Sequence, residues 1–248
     1  MHNERPITNG LMEFSHSAPA GGRHARVMEN NRECYHCEAG HPELTMSFIP
    51  GSTNSSADGM DEEGRKALDA YIQLNADTQK NWESEGWVGS AAEGLDGSVA
   101  TQFRTERLLI AGHGESQTMD TKVACRKLLG HITHRDLGGR HMWTHNSWTH
   151  VMSDHAVIAY IIPLTPEMTL VRSKWLVHAD AVEGVDYDLT KLTEVWVATN
   201  AQDVNLVAIN HRGARDPAYI PGPYSQSNEN YVDQFVGWYA GRLQTHGI

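Results

Sequence analysis

Two rhythms of apolar and polar positions run along the chain. From Glu62, Leu68, Tyr71, Ile72 and Leu74 recur on or near one face of a helical period, and the Asp61-Glu62-Glu63 run reads as the solvated acidic start of that helix. His141–Val151, His155–Ile162 and Met168–His178 are rich in aromatic and branched residues and predict strands, with Pro163 and Pro166 marking the turn between the last two. The middle run is apolar at both alternating sets of positions, as expected of a central strand covered on both sides. After Asp188, a candidate N-cap, Leu189, Leu192, Val195, Trp196 and Thr199 return to helical spacing. A proline- and glycine-rich stretch, Pro217–Tyr224, separates that helix from a last one carrying Val232, Phe235, Val236, Tyr239 and Leu243. Gly51–Asp58 and Gly86–Gly97 read as loops. Residues 1–27 show neither period and are expected to be a flexible leader, with one domain over 28–248. The fold class these elements predict is α+β, an antiparallel sheet with packed helices.

A chain of 248 residues with 40% apolar residues can bury a sizeable core. Its net charge of −11 repels phosphate backbones, and no basic patch offsets it, so nucleic acid is not an expected partner. The longest apolar run, Ala156–Leu164, is too short to cross a membrane, and no hydrophobic stretch follows Arg5 as a secretory signal requires. Three cysteines are too few for a disulfide framework and fit a reducing compartment, so a cytoplasmic location is expected.

The densest chemistry is Glu29-Asn-Asn-Arg-Glu-Cys-Tyr-His-Cys-Glu-Ala-Gly-His-Pro42. His36 and His41 are five residues apart, about a turn and a half. They can face one metal only if the helix ends or distorts between them, and Gly40 and Pro42 favour such an ending. Two imidazoles and a distant carboxylate would make the facial triad of non-haem Fe(II) oxygenases. Cys34 and Cys37 would instead belong to a Cys-Cys-His-His zinc site using His36 or His41; a four-cysteine knuckle cannot be completed with Cys125 alone. Glu38 after the second cysteine excludes haem attachment. The plainest alternative is a partly buried helix with satisfied histidines.

Glu29–Leu44, ENNRECYHCEAGHPEL, resembles the iron-site helix of Rieske-type oxygenase α subunits, in the branch of glycine betaine and carnitine monooxygenases. The resemblance continues through Gly114–Gly130, Asn146–His150, Ser153–His155, Lys174–His178, Asp180–Tyr187, Glu194–Trp196, Thr199–Asp203 and Pro221–Tyr224. It covers roughly residues 28–244. It implies the helix-grip (START/Bet v1-like) fold and a mononuclear Fe(II) held by His36, His41 and Asp203. Glu33 would connect the iron site to an electron donor across a subunit boundary. The family's Cys-x-His and Cys-x-x-His pairs have no counterpart before Cys34, so no [2Fe–2S] cluster is expected in this chain. Electrons would then come from a Rieske-type cluster and its ferredoxin-reductase partner in trans, and a homotrimer is expected by resemblance.

The implied reaction is O2-dependent N-demethylation of a small quaternary ammonium compound. Trp143, Trp148, His150, His155, Tyr160, Trp175 and Trp196 are candidates for lining its pocket, since aromatic faces hold such cations; for each, core packing is the alternative. His131, His134, His141 and His145 read as pocket-lining or surface residues rather than a second metal cluster. Lys122, Arg126 and Lys127 could lower the pKa of Cys125, although an ordinary semi-buried thiol is the simpler reading. Competing with the oxygenase are a catalytically inactive remnant or binding module for quaternary ammonium compounds, and a zinc hydrolase built on His36 and His41.

Overall fold

A computed structural model describes residues 5–7, 11–21, 24–33, 35–48, 61–87, 91–92, 104–225 and 229–247. In chain order the elements are β1 (Arg5–Ile7), β2 (Leu11–Gly21), α1 (His24–Asn30), α2 (Cys37–Gly40), α3 (Pro42–Ser47), α4 (Glu62–Ser84), β3 (Ala91–Ala92) and β4 (Arg104–Leu108). There follow β5 (Gly139–Trp143), β6 (Ser147–Val151), β7 (Ala156–Thr165), β8 (Met168–His178), α5 (Leu189–Gly213) and α6 (Asn230–Thr245). The strands form one antiparallel sheet in the order β1-β2-β8-β7-β6-β5-β4-β3. The α+β class therefore holds, and the long helix α5 lies against one face of the sheet, as in a helix-grip domain. Among the described residues no helix is long and apolar enough to cross a membrane.

Alternation along β5 and β6 puts His141, Trp143, Trp148 and His150 on the buried inner face. Asp188 caps α5 by accepting from the Lys191 amide at 2.8 Å. From there Leu192, Val195, Trp196, Thr199, Asn200 and Val207 turn inward. Two apolar clusters fill the layer between. One joins Trp175 and Val177 to Val195 and Trp196. The other joins Trp143, Trp148 and Ile161 to Val207, Met28 and Phe235 of α6. Arg32, buried, ties the second cluster to the β5–β6 turn: it donates to the carbonyls of Met28 and Thr144 and lies 4.3 Å over the Phe235 ring.

Two sequence expectations change, and one strand carries no sequence signal. His141–Val151 is a hairpin, not one strand: the Thr144 amide donates to the Ser147 carbonyl and Trp143 pairs with Trp148. The polar turn Thr144-His145-Asn146 reads as strand only because aromatic residues flank it. Strand β4 has no apolar alternation because its inward positions are Thr105 and Arg107. Arg107 is accommodated by the Leu137 carbonyl at 2.7 Å and by the rings of Trp82 and Trp87. Residues 5–7 and 11–21, which show no period, are strands, and β2 runs along β8 from Leu11 opposite His178 to Gly21 opposite Met168. Such pairing is made by backbone groups and leaves no mark on hydropathy. The expected loop Gly51–Asp58 and most of Gly86–Gly97 lie outside the described residues.

Candidate metal centre

The break expected between His36 and His41 is present. His36 is the residue before α2, and His41 stands between α2 and α3 at φ −133°, ψ 68°, followed by Pro42 at the first position of α3. Gly40 lets this corner close on α5, since a Cβ there would lie 3.2 Å from Leu206 Cδ1. The two imidazoles then meet with their Nε2 atoms 3.1 Å apart.

Asp203, two turns beyond Trp196 on α5, supplies the third group. Its Oδ1 lies 3.1 Å from His41 Nε2 and 3.6 Å from His36 Nε2. Neighbouring ligands around an ion with bonds of about 2.1 Å stand about 3 Å apart, so the donor set fits one face of an octahedral cation and leaves the other positions open. The far nitrogens are held as metal ligation requires. His36 Nδ1–H donates to Glu33 at 2.5 Å, and His41 Nδ1–H donates to Gln202 Oε1 at 3.0 Å. Each bond fixes the tautomer that turns the Nε2 lone pair toward the centre. The Gln202 amide is itself oriented by Glu43, to which its Nε2 donates at 2.5 Å. Asn30 Nδ2 donates to Asp203 Oδ1 at 2.7 Å and steadies the carboxylate.

The electrostatics agree with a site built for a cation. Burial works against a charge on His36, but hydrogen bonds to Asp203 and Glu33 outweigh it and lift its pKa from 6.5 to about 9. Burial likewise works against a charge on His41, but its hydrogen bond and charge interaction with Asp203 outweigh burial and raise its pKa. Asp203 is largely desolvated, yet its bonds from the two histidines hold it below the usual carboxylate range. Without metal, the centre therefore keeps a proton where a cation would compete for the same lone pairs.

Cys37 Sγ is within 4.8 Å of the imidazole nitrogens. It is disulfide-bonded, however, so no thiolate is offered, and the carboxylate is the better third ligand for the pair. The disulfide departs from the expectation of three thiols; Cys34 lies outside the described residues. Cys125 is a free thiol, fully buried, and burial pushes its pKa up, so the neighbouring cations do not activate it.

Of the proposed pocket residues, Trp143, Trp148, His150, Trp175 and Trp196 share the inner layer between the sheet and α5, and His155 lies at the β6–β7 turn beside it. His141, Trp143, His150 and Trp196 form a continuous aromatic row, with ring centroids 4.0 Å apart for His141–His150 and 4.3 Å for His150–Trp196. Tyr160 belongs elsewhere. It sits at an outward position of β7, exposed, under the Lys174 ammonium, because strand alternation turns it away from Ala159 and Ile161. His134 pairs at the surface with Glu85 and Asp136. Residues the sequence reading passed over are Asn30, Glu43 and Gln202. All three fall inside the recognised segments, yet spacing alone does not separate them from their neighbours.

Because Gln202 acts through His41, a Gln202→Leu chain is expected to bind Fe(II) roughly 10- to 100-fold more weakly while still folding, as outer partners of ligating histidines typically do. Anaerobic metal titration, with circular dichroism as the check on folding, tests this. Unchanged affinity would mean the bond is packing only.

The sequence model of a family described as "Ring hydroxylating alpha subunit (catalytic domain)" matches residues 26–245. The glycine betaine monooxygenase oxygenase subunit of Chromohalobacter salexigens is 42% identical over 218 residues, 88% of this chain and 46% of that protein. That of Pseudomonas aeruginosa UCBPP-PA14 is 40% identical over 218 residues, 88% of this chain and 48% of that protein. The chain thus spans about half the length of these curated relatives. Among solved structures, a quaternary ammonium Rieske monooxygenase studied for carnitine oxidation by gut microbiota and inter-subunit electron transfer superposes with a TM-score of 0.54. It is 12% identical, over 92% of this chain and 49% of that one. Pseudomonas putida CBB5 NdmA with caffeine superposes with a TM-score of 0.52 at 10% identity, over 98% of this chain and 57% of that one. At such identities the likeness is one of fold.

Proposed function

The chain belongs to the ring-hydroxylating α-subunit family, whose catalytic domain it carries, and from this premise we propose that it is the iron-binding part of an O2-dependent monooxygenase that demethylates small quaternary ammonium compounds such as glycine betaine. The observation that carries the reading is the convergence of His36, His41 and Asp203 on one point, with donor atoms 3.1–3.6 Å apart. The family uses a mononuclear iron, which when bound would activate O2 at the open positions. His36, His41 and Asp203 would hold it. Glu33, Gln202 and Asn30 keep those three side chains in the ligating geometry. The buried aromatic row along His150 and Trp196 gives the layer beside the centre a wall that excludes water.

A methyl C–H becomes C–OH while O2 takes up two electrons and two protons and yields one water. The carbinol then loses formaldehyde and a proton, leaving the tertiary amine. The electrons come from outside the described residues. A Rieske-type donor in trans, docking near Glu33, and a homotrimeric assembly are part of this reading. Glu33 lines a cleft of about 90 Å3 together with Glu29, Tyr35, Tyr224 and Glu229, which offers a donor a way toward His36.

The test is turnover of the Fe(II)-loaded chain with glycine betaine, O2 and a reduced Rieske-type donor protein. Formaldehyde and dimethylglycine in equal amounts are expected. Tight iron and betaine binding without product from any donor would favour the inactive binding module instead.

A further inference from the structure

Near the N-terminal half of α5, away from Asp203, buried side chains keep hydrogen-bonding capacity that none of the described residues uses. Gln117, 1% exposed, accepts from the Trp196 indole at 2.8 Å through Oε1, and its Nε2 is unpartnered. Trp196 lays its ring on His150, neither of whose nitrogens has a partner. His155 donates from Nδ1 to Asp154 at 2.9 Å, and the same nitrogen is 3.3 Å from the hydroxyl of Ser116, the residue before Gln117. Its Nε2 is unpartnered too. The Ser116-Gln117 segment thus reaches His155 on one side and, through Trp196, His150 on the other. The indole N–H groups of Trp148 and Trp175, on the same sheet layer, are also unpartnered. Buried polar groups are nearly always satisfied, so several unmet ones in one layer point to a ligand.

The chemistry of the set is one-sided. The Gln117 amide, the two indoles and His150 present N–H donors, and burial together with the neighbouring His155 pushes the His150 pKa down to about 3, so it stays neutral. Asp154, the buried carboxylate beside His155, is already occupied by Ser116, His155, Arg135 and the amides of Ala124 and Cys125. Such a lining offers several N–H donors to a pair of acceptor oxygens. The other end of the layer is opposite in character, with Asp203 backed by Glu33 and Glu43. Trp196 and Asp203 are two helical turns apart, about 10 Å, the reach of a short zwitterion with a contact layer at each end.

We propose that Gln117, His150 and the flanking indoles form a subsite for the carboxylate of a zwitterionic substrate, so that a betaine lies along α5 with its methyl groups at the metal end. This rests on the quaternary-ammonium reading and narrows it to betaines, against choline and simple tetraalkylammonium ions.

The experiment is calorimetric binding of glycine betaine and of choline, which share the trimethylammonium head, to the Fe(II)-loaded chain without O2. Wild type is expected to prefer glycine betaine at least tenfold. Gln117→Glu keeps an oxygen for the Trp196 indole but faces the ligand with a negative charge. It should weaken glycine betaine at least tenfold and leave choline within twofold. His150→Phe, which keeps the ring and removes both nitrogens, should also lower the betaine-to-choline ratio, and it carries the test if Gln117→Glu fails to fold. Equal loss of both ligands, or loss of neither, in a folded variant overturns the subsite while the ammonium reading stands. Binding of neither ligand by wild type overturns both.

Discussion

An Asp203→Ala chain should emerge from anaerobic reconstitution with essentially no iron, where wild type holds about one per chain, because a three-ligand site loses a ligand outright. The expected fall exceeds the roughly 100-fold ceiling for outer-partner mutations. His36→Ala should do the same. Asp203 also sustains the high pKa of His36, so the variant loses a proton competitor, a smaller effect of opposite sign. In wild type, His36 must shed its proton to ligate, so Fe(II) affinity should fall about tenfold per pH unit below about 9. In Asp203→Asn, with the carboxylate charge gone, the onset should move toward lower pH. Metal analysis and titration between pH 6 and 9 read both effects. One iron per chain in all variants would dismiss the triad.

The second large effect is on stability. Asp154 is fully buried in the β6–β7 turn and gathers Ser116, His155, Arg135 and the backbone amides of Ala124 and Cys125. It thereby fastens two irregular segments to the sheet. Asp154→Ala would leave the Ser116 hydroxyl, the Arg135 guanidinium and the amides of Ala124 and Cys125 without their shared acceptor, at a cost of about 3–5 kcal/mol. For a chain of this size that is a fall in Tm of roughly 10 °C or more. The sign with pH follows from the same bonds. Burial works to raise the Asp154 pKa, but the hydrogen bonds prevail and depress it below the unfolded value. Its stabilisation is therefore present above the ordinary carboxylate pKa of about 3.9 and lost as pH falls through the folded one. Thermal melts from pH 7 to 2 should show a steep acid limb below about pH 4 in wild type that is shallower in Asp154→Ala. An unchanged melt would show the cluster to be dispensable.

Legibility from the sequence differed element by element. Helix α5 was readable because Leu192, Val195 and Trp196 repeat at its period and Asp188 caps it. Strands β7 and β8 were readable because branched residues crowd them. Strand β4 was not, since Arg107 occupies an inward position that the Leu137 carbonyl and the Trp82 and Trp87 rings make tolerable. Nor was the sheet edge formed by β1 and β2, which backbone pairing alone establishes. For the site, the break at Gly40-His41-Pro42 was predictable from residue type, whereas Tyr160 could be assigned to a face only once the register of β7 was known.

The sequence by itself determined the α+β class, the family and the histidine pair, because periodicity, turn residues and extended motifs are local and survive without coordinates. Only the tertiary structure decided that Asp203, 162 residues from His41 in sequence, meets His41 at 3.1 Å and His36 at 3.6 Å. It alone disclosed that Gln202 and Glu43 steady His41, and that Gln117 comes to the same buried layer as His150. Those are contacts between segments far apart in the chain, and they exist because α5 must bury one face against the sheet. No residue's own neighbours record which distant side chains that packing will bring together.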